Sequence, residues 1–215
     1  MRNKLVHMFL FFFLAFPVLA FAGPGGKIAK AAVTTFWGRV ILGVTIIFFL
    51  PFICYTLIKE HYAQKRARKE LAVVAEFNKD FDWTFLRKRV RDCFFRIHSA
   101  WEKSDVSEAK DWMTSWYWQN QQLVILDRWE RQGLFNVCEV FGLNSMKPLF
   151  FAYKEEGQRS GEGSELAVLV NANMRDYLEE KDTGKVVEGS TDKKDVDRVW
   201  SFVYRDNRWV VSGID

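Results

Sequence analysis

Two long apolar runs open the chain, and alternating or helical patterning takes over only after them. The first, predominantly apolar from Leu5 to Leu19, follows Arg2 and Lys4 and ends at Ala20-Phe21-Ala22 before Gly23-Pro24-Gly25-Gly26. Small residues at an A-x-A site beyond an apolar block predict a signal peptide over residues 1–22, cut after Ala22, and a short extracytoplasmic linker over 23–39. The second run, 40–58, carries no charge and has the roughly 20-residue length that a helix needs to cross a bilayer core. It predicts a transmembrane helix, with Pro51 tolerated inside it.

Beyond a basic juxtamembrane linker over 59–80, residues 81–215 have the patterning of a folded domain. Asp82 is placed to cap a helix from about Trp83 to Lys103, on which Leu86, Val90, Phe94, Ile97 and Trp101 form one apolar stripe. Ser104 or Ser107 is expected to cap a second helical region that ends at Gly133. The period then changes to two. Phe135 to Phe141 and Pro148 to Tyr153 predict strands, and Leu166, Val168, Val170, Ala172 and Met174 predict a long half-buried one. A short strand over 185–188 follows the turn at Asp182-Thr183-Gly184, and Trp200, Phe202 and Tyr204 lead into a final hairpin around Asp206-Asn207. Helices first and strands afterwards predict an α+β domain, with helices packed on one face of an antiparallel sheet.

Charge sets the orientation. Lys59, Lys65, Arg66, Arg68 and Lys69 follow the span, against Lys27, Lys30 and Arg39 before it, so the positive-inside rule predicts a cytoplasmic C-terminal domain. The apolar N-terminus lacks the arginine and serine of a mitochondrial presequence, which favours a bacterial inner membrane, single-pass after signal cleavage. Lys65, Arg66, Arg68 and Lys69 are also the candidate contacts to anionic membrane lipid. The net charge is only +4, and no nucleic-acid-reading motif is present.

Candidate chemistry is sparse. Cys54, Cys93 and Cys138 are widely separated and form no C-x-x-C pair, and there is no Walker loop, nucleophile elbow or metal-ligand spacing. No cofactor is expected. His98 adjoins the apolar stripe and reads as structural. The tryptophans are the unusual feature: Trp112, Trp116, Trp118 and Trp129 crowd the second helical region. Such a stripe is ordinarily core, but aromatics also line apolar pockets, so these four are the candidate partner- or pocket-binding residues.

The segment from about Asp82 to Ile214 resembles the Tim-forty-four-like domain family. The resemblance rests on Trp83-Thr84-Phe85-Leu86, Ile97-His98-Ser99-Ala100-Trp101, Asp182-Thr183-Gly184-Lys185-Val186-Val187-Glu188-Gly189, Arg198-Val199-Trp200-Ser201-Phe202-Val203-Tyr204-Arg205 and Arg208-Trp209-Val210-Val211, in that order. It implies a cone-like domain of the nuclear transport factor two superfamily, a curved sheet wrapped against helices around an apolar pocket. It also implies a membrane-apposed tether or adaptor, with a protein partner in an inner-membrane complex and no invariant catalytic residue. Assembly or translocation of membrane protein complexes is the process such an adaptor would serve. The alternatives are lipid or small-ligand binding in the pocket and, by analogy of fold alone, an isomerase- or dehydratase-like enzyme using His98, Asp111 and Asp176.

Overall fold

A computed structural model of the chain describes residues 34–155 and 161–215. The signal-peptide expectation and most of the extracytoplasmic linker lie outside the described residues. The chain divides into two units, Met1–Lys59 and Glu60–Asp215.

Helix α1, Phe36–Ala75, runs for 40 residues through Pro51, and its apolar window is long enough to cross a membrane and is uncovered among the described residues. Residues 59–75, expected as linker, are the continuation of this helix. Ala67, Leu71 and Val74 recur at helical spacing and are buried in the core of the second unit. The basic run hid this because its cations point outward while the small and aliphatic residues between them face in.

A single 3-10 turn, Lys79–Phe81, separates α1 from α2, Trp83–Glu102. As expected, Asp82 caps α2, its side chain accepting from the Thr84 amide at 2.8 Å. Leu86, Val90, Phe94 and Ile97 are buried along the stripe, joined by Cys93 and Ala100. The second helical region is more broken than the sequence suggests. Ser104 adopts a left-handed φ of 55° at the end of α2, and Asp105, not Ser104 or Ser107, caps the 3-10 segment Val106–Trp112. Thr114 then caps α3, Ser115–Gln119, which passes into a π-helix, Asn120–Leu126, and into α4, Asp127–Arg131. Gly133, with φ 68°, closes it.

Four strands form one antiparallel meander in the order β1-β2-β3-β4: β1 Leu134–Ala152, β2 Glu165–Glu180, β3 Val186–Arg205 and β4 Arg208–Ile214. The two segments expected before residue 155 are one strand, bent by register shifts at Val140/Gly142, Leu143/Ser145 and Pro148/Phe150. Likewise the short strand at 185–188 and the Trp200–Tyr204 strand are the two ends of β3. The polar stretch between them remains in the ladder, with Asn171 opposite Asp197 and Asn173 opposite Asp195. Their amides donate to those carboxylates at 2.8 Å each, so the outer face is tied by a polar ladder. On the inner face Leu166, Val168, Val170, Ala172, Trp200, Phe202 and Tyr204 pack against α2 and the end of α1.

Phe81 is the hub where the short turn meets the sheet. It is fully buried, and its ring lies 4.9 Å from Tyr204, 5.3 Å from Trp209 and 5.8 Å from both Phe151 and Tyr153. The fold is thus α+β, with helices against one face of an antiparallel sheet.

Candidate functional site

A cavity opens between α2, the helical run from Ser115 to Arg131 and the inner face of the sheet, and has a volume of about 340 Å³. That is the lower end of the range for small-molecule sites. Its shape depends on the π-helix. In an α-helix of 3.6 residues per turn, residues four apart drift steadily around the axis. The i→i+5 bonding over Asn120–Leu126 widens the turn, so Tyr117, Gln121, Ile125 and Trp129 stay in line and all four reach the cavity wall.

Opposite them α2 contributes Phe94, Ile97, His98 and Trp101, and the strands contribute Asn136, Cys138, Asp176, Arg198 and Trp200 among others. The walls are aromatic: Trp101 and Trp129 meet edge to face at 5.8 Å, and Trp200 lies 5.4 Å from Phe94. Polar groups fall into two classes. Gln121 and Asn136 are buried, each 8% exposed, whereas Asp176, Arg198 and Asp215 are exposed.

His98 is held by its own helix. Its Nδ1 lies 2.8 Å from the Phe94 carbonyl, so Nδ1–H donates and Nε2 keeps its lone pair. The imidazole lies 4.2 Å from the Phe94 ring and 5.6 Å from Trp200. Burial lowers its pKa below the ordinary imidazole value, with the Phe94 hydrogen bond and the nearby Asp176 charge acting the other way. Of the three residues an enzyme reading would need, His98 and Asp176 line the cavity, while Asp111 is an exposed residue of the 3-10 segment and does not.

The four candidate tryptophans separate. Trp129 lines the cavity. Trp112 packs on the core periphery with guanidiniums over its ring, Arg89 at 3.8 Å and Arg96 at 4.5 Å. Arg89 also donates through Nε to the Trp209 carbonyl at 2.9 Å, so it ties α2 to β4. Trp118 packs against the core, and its Nε1 is buried without a partner among the described residues. Trp116 is 70% exposed, beside a shallow recess formed with Thr114, Val203 and Arg205, and Leu123 and Val124 are exposed further along the same helical run.

Gln121 and Asn136 escaped sequence reading. The four-residue spacing of Tyr117, Gln121, Ile125 and Trp129 matches no 3.6-residue face. In β1 the alternation of Phe135, Val137 and Phe141 predicts that these face the core, yet Asn136 and Cys138 are the buried ones.

The candidate lipid contacts Lys65, Arg66, Arg68 and Lys69 are all exposed on α1. Arg66 pairs with Glu70 at 2.8 Å, and Arg68 sits 6.0 Å above the Trp83 ring. Cys93 and Cys138 are buried, and burial pushes each thiol up to about 12, which makes them inert packing residues. Among the described residues no group of three or more His, Cys, Asp or Glu is placed to hold a metal ion.

The Tim44-like domain family matches residues 67–215. Its match starts within α1, where Ala67 is the first of the α1 residues in the core. No curated protein matches the chain at a significant level. Among solved structures, the intermembrane space region of the chloroplast protein ARC6 is similar, with a TM-score of 0.38 and 7% sequence identity over 60% of this chain and 93% of that one.

Proposed function

The chain belongs to the Tim44-like domain family, and from that membership and its apolar helix we propose that it is a membrane-anchored adaptor, whose domain presents a partner-binding surface at the cytoplasmic face of a bacterial inner membrane. The observation that carries the reading is α1 itself. Its apolar window is uncovered, while its last turns contribute Ala67, Leu71 and Val74 to the domain core. A helix with that length of exposed apolar surface is stable in lipid and not in water.

The protein partner is read to dock on the exposed Trp116 and the neighbouring Leu123 and Val124, since large aromatics on a rigid element are the usual anchors of an interface. Membrane lipid is the second partner. Lys65, Arg68 and Lys69 offer cations to anionic headgroups at about 1 kcal/mol each near the surface, and Arg66 offers less because Glu70 already holds it. We assign the domain no catalytic step.

The test is affinity purification of the full chain in mild detergent, with mass spectrometry of co-eluting proteins. A reproducible membrane complex that is lost on Trp116→Ala supports the adaptor. Orientation is read separately: a cysteine placed at Thr183 in a variant lacking the native cysteines should react with a membrane-impermeant maleimide only after the inner membrane is opened. Labelling of intact spheroplasts would place the domain on the other side.

A further inference from the structure

Two buried amides face the cavity with nothing to bind. Gln121 and Asn136 are more than nine-tenths buried and both line the cavity, one from the π-helix and one from β1. Neither side chain hydrogen-bonds to another described residue, and the polar atoms of neither are sealed off from the cavity, so both amides are free to partner a ligand there. Keeping two amides there makes sense for a ligand that partners them.

The rest of the cavity narrows the ligand's chemistry. The walls are broad aromatic faces, Trp101, Trp129 and Trp200, which suit a flat body. The ionic groups Asp176 and Arg198 are exposed, so nothing at depth pairs with a charge, and an ion buried beside Gln121 and Asn136 would be left uncompensated. An amide both donates and accepts, so two of them are satisfied by a group that does the same. His98 Nε2 adds an acceptor on the cavity wall.

We propose that this cavity is a binding site for a neutral, flat small molecule carrying an amide-like donor and acceptor pair, such as an aromatic carboxamide or lactam, held by Gln121 and Asn136. The π-helix is part of the site, because it brings Gln121 into line with Tyr117 and Trp129. Trp116 is not part of it, so capture of a protein partner and binding of the small molecule fail independently.

The test uses the full chain in mild-detergent micelles and a matched pair of probes, 1-naphthamide and 1-methylnaphthalene, which share a ring system and differ in the amide. The shift in unfolding midpoint is followed against probe concentration for the wild type, Gln121→Leu, Asn136→Leu and the double variant. Both probes partition into micelles equally whichever protein is present, so differences between proteins report the cavity. The expected result is at least tenfold tighter response to the naphthamide in the wild type, shrinking to parity in the double variant. Equal response to the two probes in the wild type would mark the cavity as a non-selective apolar pocket and overturn the proposal. Absence of any naphthamide shift at millimolar concentration would overturn it too. The wild-type comparison stands even if a variant fails to fold.

Discussion

Tyr204 Oη donates to Asp80 Oδ2 at 2.6 Å, tying the inner face of β3 to the turn between the first two helices. Trp209 Nε1 donates to the carbonyl of the same Asp80 at 3.0 Å, so two strands hold one residue, one by its side chain and one by its backbone. Burial and the Asp80 hydrogen bond push the Tyr204 phenol up to about 12, so it stays a donor at physiological pH. Tyr204→Phe keeps the ring against Phe81 and removes only the donor. It is expected to cost about 1–2 kcal/mol, as for a hydrogen bond to a charged acceptor that is itself solvated. Chemical denaturation of the full chain in detergent measures it, and an unchanged midpoint would show that the pin contributes nothing.

Trp112 and Trp116, adjacent in the reading of the sequence, are expected to behave oppositely. Trp112→Ala strips the ring that Arg89 and Arg96 lie over and opens a gap at the core edge, and should cost about 2 kcal/mol or more. Trp116→Ala touches a ring that is 70% exposed and should change stability by no more than about 0.5 kcal/mol. Thermal unfolding of the two variants side by side separates them. Loss of a partner on Trp116→Ala is then a direct effect, whereas loss on Trp112→Ala is confounded by unfolding.

Much of this was legible from patterning because burial of one face imposes a period. In β2, Leu166, Val168, Val170, Ala172 and Met174 are all buried, as their alternation required, and so are Leu86, Val90, Phe94 and Ile97 of the α2 stripe, with Trp101 partly buried at its end. The Tim44-like resemblance also held over the whole domain. What escaped reading lies where burial sets no pattern. The middle of β3 is exposed on both faces and is a strand because Asn171 and Asn173 pair across to Asp197 and Asp195, a relationship no local window contains. The charge of residues 59–75 predicts a linker, whereas Ala67 among the cations and Leu71, Val74 and Ala75 beyond them face inward. The cavity residues Tyr117, Gln121, Ile125 and Trp129 follow a spacing that only a widened helix keeps on one face.

His98 gives the domain a pH dependence of defined sign. Burial lowers its pKa in the folded state, while in the unfolded chain it titrates near the ordinary value of about 6.5. Below that value the unfolded chain takes up a proton that the folded domain does not, so stability falls as pH drops. His98→Phe keeps an aromatic ring between Phe94 and Trp200 and has nothing to protonate. Unfolding midpoints at pH 7.5 and 5.5 are expected to differ more for the wild type than for this variant. Equal differences would mean that His98 titrates normally in the folded state.

Gly189 carries the sharpest backbone constraint beside the cavity. It adopts φ 86° in β3 opposite Tyr177, where a Cβ would come within 2.6 Å of the Asp176 carbonyl oxygen. The neighbouring register shifts at Met174/Asp176 and Leu178/Glu179 show that β2 and β3 accommodate extra residues here, which sets where Asp176 stands at the cavity mouth. Gly189→Ala is strained in its backbone and blocked by main chain that cannot rotate away, so a cost of about 2 kcal/mol or more is expected. The strain is local to the outer end of the hairpin. Amide hydrogen exchange should therefore quicken over 174–190 while the Phe81 hub and the Trp200–Tyr204 end of β3 keep their protection. Uniform loss of protection across the domain would mean that this end of the sheet unfolds together with the core.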